Sequence, residues 1–404
     1  MQSYLIDRLG HRGDGVIDTS DGPIFAPYVL PGETITGTLE GDRLIGVRVQ
    51  EPSADRIKAP CSHFKTCGGC VMQHASEGLQ RAWRVRQIEE PLRQVGIEAE
   101  VSKVHMVSAA SRRRAGFKGR RSKSSGQVCF SRVASHDLID VTGCSILSPA
   151  LSDALPILRE IVAVAATRKS TVSLQVTEVE SGLDVAVEDA KELSPAEVQQ
   201  LASLSGVTRL TWNGETLFQK ERPVLRLGDD LVPLPPGAFL QASREGEAAM
   251  IDFVKTAVAG AGYVADLFAG CGTFALNLAR DAQVDAFESD RDAVSALVSG
   301  WSNGRGMKAV VAKQHDLFRS PLSAGDLKRY DAVVLDPPRA GAAAQISEIA
   351  KSKLERVVYI SCNPASYARD AALLVGAGFH LSSLEAVDQF RWSRHVELQS
   401  VFTR

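Results

Sequence analysis

The chain lacks a membrane-spanning run: none of its 404 residues fall in a stretch approaching the roughly 18 consecutive apolar side chains of a crossing helix. No export leader is expected either, because MQSYLIDRLGHRGDG has neither an apolar signal core nor an amphipathic transit character. A cytoplasmic protein with no membrane partner is expected. Seven cysteines, an odd number in a long chain without a leader, do not suit a disulfide scaffold and leave reduced thiols, metal ligation or catalysis. The dinucleotide fingerprint GxGxxG is missing too. The candidate turn reads AGCGT over Ala269–Thr273, which does not favour a pyrophosphate.

What is present is uneven in charge. The net charge of -2 conceals an acidic start, with five Lys/Arg against nine Asp/Glu in residues 1–56, and a basic stretch, with fifteen against seven in residues 57–145. Seven of those cations stand in Ser111–Lys123 (SRRRAGFKGRRSK) without one carboxylate. Such a strip reads equally as a solvated surface or as a set of phosphate contacts, with Arg114, Lys118, Arg120 and Arg121 as the candidates.

A chain of this length is expected to hold two or three domains. Residues 1–56 read as five short strands broken by glycines, a small barrel of OB type. Residues 57–240 read as a central α+β domain, with a helical stretch over 73–95 packed on the last domain. From residue 241 strands and helices alternate. They predict an open, mostly parallel, Rossmann-like α/β sheet that ends in an appended antiparallel strand.

Three strand-to-loop junctions are expected to meet at one edge of that sheet, where doubly wound proteins bind ligands. In Val264–Ala279, Asp266 closes a strand, Gly270 and Gly272 form a turn and Thr273 opens a helix with free amides. Glu288 ends the next strand 22 residues later, at the spacing of a ribose-binding carboxylate. With no phosphate fingerprint, an adenosyl ligand such as S-adenosylmethionine fits best. The second junction, DPPR at Asp336–Arg339, offers neither an aromatic residue for stacking a flipped adenine nor a cysteine. The third, VVYISCNPASYARD at Val357–Asp370, presents Cys362 between a strand and a helix opened by Pro364.

Carbon 5 of a pyrimidine becomes nucleophilic only after a thiolate has added to carbon 6, and its proton must later be removed. Cys362 is placed for the first task, with the following helix expected to lower its pKa. Glu397, an acid inside an apolar C-terminal strand, is placed for the second. Taken singly, each reads as well as a buried structural cysteine or an edge-strand glutamate.

Together, FLQAS at Phe239–Ser243, DLFAGCGTF at Asp266–Phe274, DPPRAG at Asp336–Gly341, SCNPASYARD at Ser361–Asp370 and HVE at His395–Glu397 resemble the RNA uridine-5 methyltransferase family. The resemblance covers nearly the whole chain. It implies Cys362 as nucleophile, Glu397 as proton acceptor, and Gln241, Phe268, Glu288 and Asp336 as holders of S-adenosylmethionine. The expected cofactor contacts extend to Gly270, Thr273 and Asp316. It also implies a class I methyltransferase domain, a TRAM barrel over 1–56 and an RNA partner. Ribosomal RNA of the large subunit is expected, with a transfer-RNA T-loop uridine or a catalytically silent RNA-binding scaffold as alternatives, and a monomer as the assembly. Two departures stand out: Arg391, Trp392 and Ser393 replace a Pro-His-Thr run, and Ser243 replaces an asparagine.

Cys61, Cys67 and Cys70 are spaced C-x5-C-x2-C, with Cys144 as a fourth ligand. The spacing suits a four-iron (4Fe-4S) cluster better than zinc without deciding between them. The resemblance, through CGGC at Cys67–Cys70, favours iron–sulfur. Cys129 and Cys271 are left as structural residues.

Overall fold

A computed structural model describes residues 2–123, 125–133 and 135–404. Ser3–Leu5, Arg8–Leu9, Gly15–Thr19, Gly22–Ala26, Thr34–Glu40 and Arg43–Glu51 form a six-stranded sheet. Two tight reversals within it place Gly22 and Gly41 at φ of 114° and 61°, values that side chains bearing a Cβ avoid. Ile6, Ile17, Ala26, Val29, Ile35 and Leu44 fill a small core.

A second, seven-stranded sheet runs in the order Leu138–Asp140, Gly126–Ser131, Arg114–Arg121, Thr171–Val179, Gly182–Glu188, Val207–Trp212, Glu215–Gln219. Alternation decides its faces. Ala115 and Phe117, with Val172, Leu174 and Val176 on the neighbouring strand, point into a core completed by Leu158, Ile161 and Val162 of helix Leu155–Ala165.

The third large sheet has eight strands, in the order Val310–Gln314, Gln283–Glu288, Tyr263–Leu267, Ala332–Leu335, Arg356–Ser361, Glu397–Thr403, His380–Asp388, Lys103–Met106. The first five are parallel, as their near-continuous apolar runs dictate. Two features differ from expectation. The antiparallel strand Glu397–Thr403 is inserted between Arg356–Ser361 and His380–Asp388, not appended at the edge. Lys103–Met106, read as part of a central domain, pairs parallel with His380–Asp388 and forms the edge of this sheet. Its neighbour in sequence, helix Glu77–Gln94, places Ile88 and Leu92 in the same core as Leu374 and Phe379. Among the described residues no helix is long and apolar enough to cross a membrane.

Candidate active site

The strand order reverses between Tyr263–Leu267 and Ala332–Leu335, and the crevice beyond their carboxyl ends is where open α/β sheets take ligands. Asp266 and Asp336 come from these strand ends, and Cys362 from the end of the adjacent strand Arg356–Ser361. The inserted strand explains how Glu397 joins them. Because Glu397–Thr403 runs antiparallel to Arg356–Ser361, with Leu398 opposite Ser361, its first residue lies beside the end of the parallel strand and next to Cys362. A parallel strand would have carried Glu397 to the far side of the sheet.

Two carboxamides join the two buried carboxyls. Gln241 Nε2 donates to Asp336 Oδ2 at 3.0 Å, while Gln389 Nε2 donates to Gln241 Oε1 at 2.8 Å and to Glu397 Oε2 at 2.9 Å. Burial raises the pKa of both acids; the Asp336 charge raises Glu397 further, and the amide donors oppose the shifts. Gln241 is itself held from behind. Buried Arg113 donates through Nε to the Gln241 carbonyl at 3.2 Å and pairs with Glu247 at 2.6 Å.

The expected lowering of the Cys362 pKa does not occur. Burial pushes the thiol up to about 12, the charges of Glu397 and Asp336 add to the rise, and Arg339 opposes it. The helix Pro364–Gly376 offers little relief because Asn363 already caps it, accepting from Ala365 N at 3.2 Å. The same Asn363 donates to the Arg339 carbonyl at 2.9 Å, as does Ser366 at 3.1 Å. The cysteine loop and the DPPR loop are therefore tied together by side-chain hydrogen bonds.

At the glycine turn, Phe268 holds a φ of 64°, strained for a non-glycine residue, and its ring lies 5.4 Å from that of Phe318, which is 51% exposed. Phe318 was not anticipated; its only signal is an aromatic residue two positions after Asp316. Glu288 accepts from Gly270 N at 3.0 Å and from Asp290 N at 2.9 Å, so one carboxylate shapes the turn it faces. Asp316 is engaged in its own turn, accepting from Phe318 N and Arg319 N. Thr273 does not open the helix. The helix is only Ala275–Leu278, and Asp266 Oδ2 already takes the Ala275 N–H at 2.8 Å. Burial pushes Asp266 up to about 8; the Ala275 N–H opposes the rise, while Asp336 and Glu288 add to it.

Comparison with known proteins places this geometry. The family model for tRNA (uracil-5-)-methyltransferase matches residues 306–404. An uncharacterized RNA methyltransferase of Rhizobium meliloti is 40% identical, covering 98% of this chain and 97% of its own. The 23S rRNA (uracil(1939)-C(5))-methyltransferase RlmD of Shewanella woodyi is 30% identical, covering 99% and 95%. This chain belongs to the RNA uracil-5-methyltransferase family. The structure of Pyrococcus abyssi tRNA (uracil-54, C5)-methyltransferase in complex with S-adenosyl-L-homocysteine shares the fold, with a TM-score of 0.76 over 99% of each chain at 20% identity.

In this RNA methyltransferase the four cysteines read as cluster ligands line one cavity of about 870 Å³. Amide donors face their sulfurs: Gly69 N–H towards Cys67, Ile146 and Leu147 N–H towards Cys144, the Gln73 side chain towards Cys70. Among the described residues, however, no three His, Cys, Asp or Glu side chains form a group able to hold a single metal ion. Cys129 and Cys271 are buried.

The basic strip of the methyltransferase divides by burial. Arg113 is buried in its ion pair with Glu247, and Arg112 turns into the cavity, its guanidinium 6.0 Å from the Phe390 ring. Arg114 is half-buried over the exposed Phe239. Lys118, Arg120 and Arg121 are exposed; Lys118 bonds Ser173 and Arg120 bonds Gln127. The cavity adds cations that charge counting alone did not single out: Arg12, Arg132, Arg391 and Arg394.

Proposed function

We propose that this methyltransferase modifies carbon 5 of a uridine in structured RNA, with large-subunit ribosomal RNA as the substrate. The observation that carries the reading is the meeting of Cys362, Asp336 and Glu397 at one sheet edge through an antiparallel insertion. Cys362, once deprotonated, adds to carbon 6, and the ring electrons move to make carbon 5 nucleophilic. S-Adenosylmethionine supplies the methyl group from its sulfonium. Glu397 then takes the carbon-5 proton, the ring electrons return and the Cys362–carbon 6 bond breaks.

The site suits that donor. Asp266, Glu288 and Asp336 gather three carboxyls at the strand ends; burial and their mutual charge raise Asp266, so a ligand carrying ammonium and sulfonium charges, which would favour the carboxylate forms, suits the site better than one carrying phosphates. The side chain of Asp266 also keeps a buried Oδ1 without a hydrogen-bond partner. Glu288 would take the ribose, and Phe268 beside Phe318 would receive the adenine.

Ribosomal RNA is favoured by the full-length likeness to a 23S rRNA enzyme. The substrate would approach through the arginine-lined cavity, which the N-terminal sheet and the central unit both border. The four cysteines would hold a four-iron cluster there, since a cube of iron and sulfide spaces its thiolates more widely than one ion does and amide donors already face three of the sulfurs. Its role would be to order the segment after Cys70, where Val71 N and Met72 N donate to the Trp392 carbonyl at 2.7 and 3.1 Å. Such an enzyme works in the cytoplasm, with its RNA. Mapping 5-methyluridine in total RNA from cells with and without the protein tests the reading: loss of one ribosomal position is expected, and loss from transfer RNA alone would overturn the substrate.

A further inference from the structure

Gln389 connects the two acids of the site, and the direction of every bond it makes is fixed. Its Oε1 lies 2.9 Å from Ala242 N, a backbone group that can only donate, so the opposite end of the carboxamide must be the NH₂. Both of those hydrogens are used, one on Gln241 Oε1 and one on Glu397 Oε2. Gln241, having its oxygen turned to Gln389, must then present its own NH₂ to Asp336. A single backbone N–H thus orients two side-chain amides and makes both carboxyls acceptors. The frame behind it is rigid: Gln389 is 3% exposed, Arg113 holds the Gln241 carbonyl, and Arg84 donates to the Ser393 carbonyl at 2.8 Å in the same loop.

We infer that Gln389 is a positioning residue for the proton-transfer step, holding Glu397 Oε2 as a permanent acceptor so that the proton from substrate is received on Oε1. This rests on the reading of Glu397 as the base. A proton on Oε2 would point at the NH₂ hydrogens of Gln389, whereas Oε1 has no hydrogen-bond partner among the described residues. The same bond favours ionised Glu397, which has to be a carboxylate before it can act. Losing it therefore affects release of the adduct and leaves its formation possible.

The test uses the full-length protein and ribosomal RNA isolated from cells that lack it, measuring turnover and trapped protein–RNA adduct across pH. Gln389→Met keeps the length and removes the donor. The acidic limb of turnover is expected to move up by roughly one pH unit, about a tenfold loss at the foot of the limb, with adduct accumulating at neutral pH and clearing as pH rises. A uniform loss at every pH without adduct would reduce Gln389 to packing and overturn the inference. If Gln389→Met does not fold, Gln389→Glu keeps the shape and replaces the donor by an acid, and the limb must again move upward. Glu397→Gln serves as the control. Wild-type turnover in that variant removes the base itself, whereas a trapped adduct there with an unmoved limb in Gln389→Met removes only the role of Gln389.

Discussion

Arg84 and Asp388 form an ion pair at 2.7 Å in which both side chains are 1% exposed. The approach is side-on. Neither carboxylate oxygen receives an aligned N–H, and the guanidinium makes its hydrogen bonds instead to the Ser393 carbonyl at 2.8 Å and to Gln87 Oε1 at 2.9 Å. The pair joins helix Glu77–Gln94 to the residue just before Gln389, and so fixes the loop that reaches back to Glu397. Replacing Arg84 by Met leaves Asp388 buried and uncompensated, which should cost about 3–5 kcal/mol, whereas Arg84→Met with Asp388→Leu should lose much less. Denaturant titration of the two variants checks this.

Cys362→Ala should abolish methylation while leaving cofactor binding within a few-fold, because in the proposed mechanism the thiol acts on the base. Glu397→Gln should stop after methyl transfer and leave a covalent protein–RNA band under denaturing conditions. Its pH dependence carries a sign. The Cys362 pKa is raised first by burial and then by Glu397, so the thiolate fraction increases as pH rises towards about 12. Removing the Glu397 charge lowers that pKa, and adduct formation by Glu397→Gln should reach half its plateau at a lower pH than the single-turnover step of the wild type. A limb shifted upward would contradict the electrostatics.

Much of this site is legible in sequence because its residues violate their surroundings. Cys362 follows the apolar run VVYIS, and Glu397 stands among apolar neighbours in HVELQSV. The parallel strands are legible for the same reason, as short apolar runs bounded by Gly, Pro and Asp. What was not legible depends on partners far along the chain. Lys103–Met106 is one exposed and three half-buried residues whose place is set by pairing with Glu385–Asp388. Gln389 looks like any polar residue after a strand until Gln241, 148 positions away, comes within 2.8 Å. The Cys362 thiol is subject to the same limit: the helix start is visible locally, but burial and the carboxylates that raise its pKa arrive from other strands.

Glu288→Ala and Asp336→Ala should each weaken binding of S-adenosylmethionine, the first by roughly 1.5–3 kcal/mol for hydrogen bonds to a charged partner. Calorimetry reads the affinity. Glu288 also bonds Gly270 N and Asp290 N, so its variant should lose some thermal stability as well. Unchanged affinity in both variants would place the methyl donor elsewhere.

The strip Ser111–Lys123 makes two opposite predictions within one run of charge. Arg113 is paired with Glu247 and is 2% exposed, so Arg113→Met should destabilise the fold by about 3–5 kcal/mol and displace Gln241 with it. Lys118, Arg120 and Arg121 are exposed on the strand Arg114–Arg121, and their joint neutralisation should leave stability unchanged. If they contact phosphates, RNA affinity should fall about equally for cognate and unrelated RNA, and the slope of log K against log salt should flatten by roughly 0.7–0.9 per lost contact. Cofactor affinity should not move, because these side chains are on the central sheet. Neutralising Arg391 and Arg394 in the cavity should instead weaken cognate RNA more than unrelated RNA, since they belong to the loop that carries Gln389. Filter binding over a salt series separates the two groups. An unmoved slope in the well-folded triple variant would return Lys118, Arg120 and Arg121 to solvated surface and leave the cavity as the RNA site.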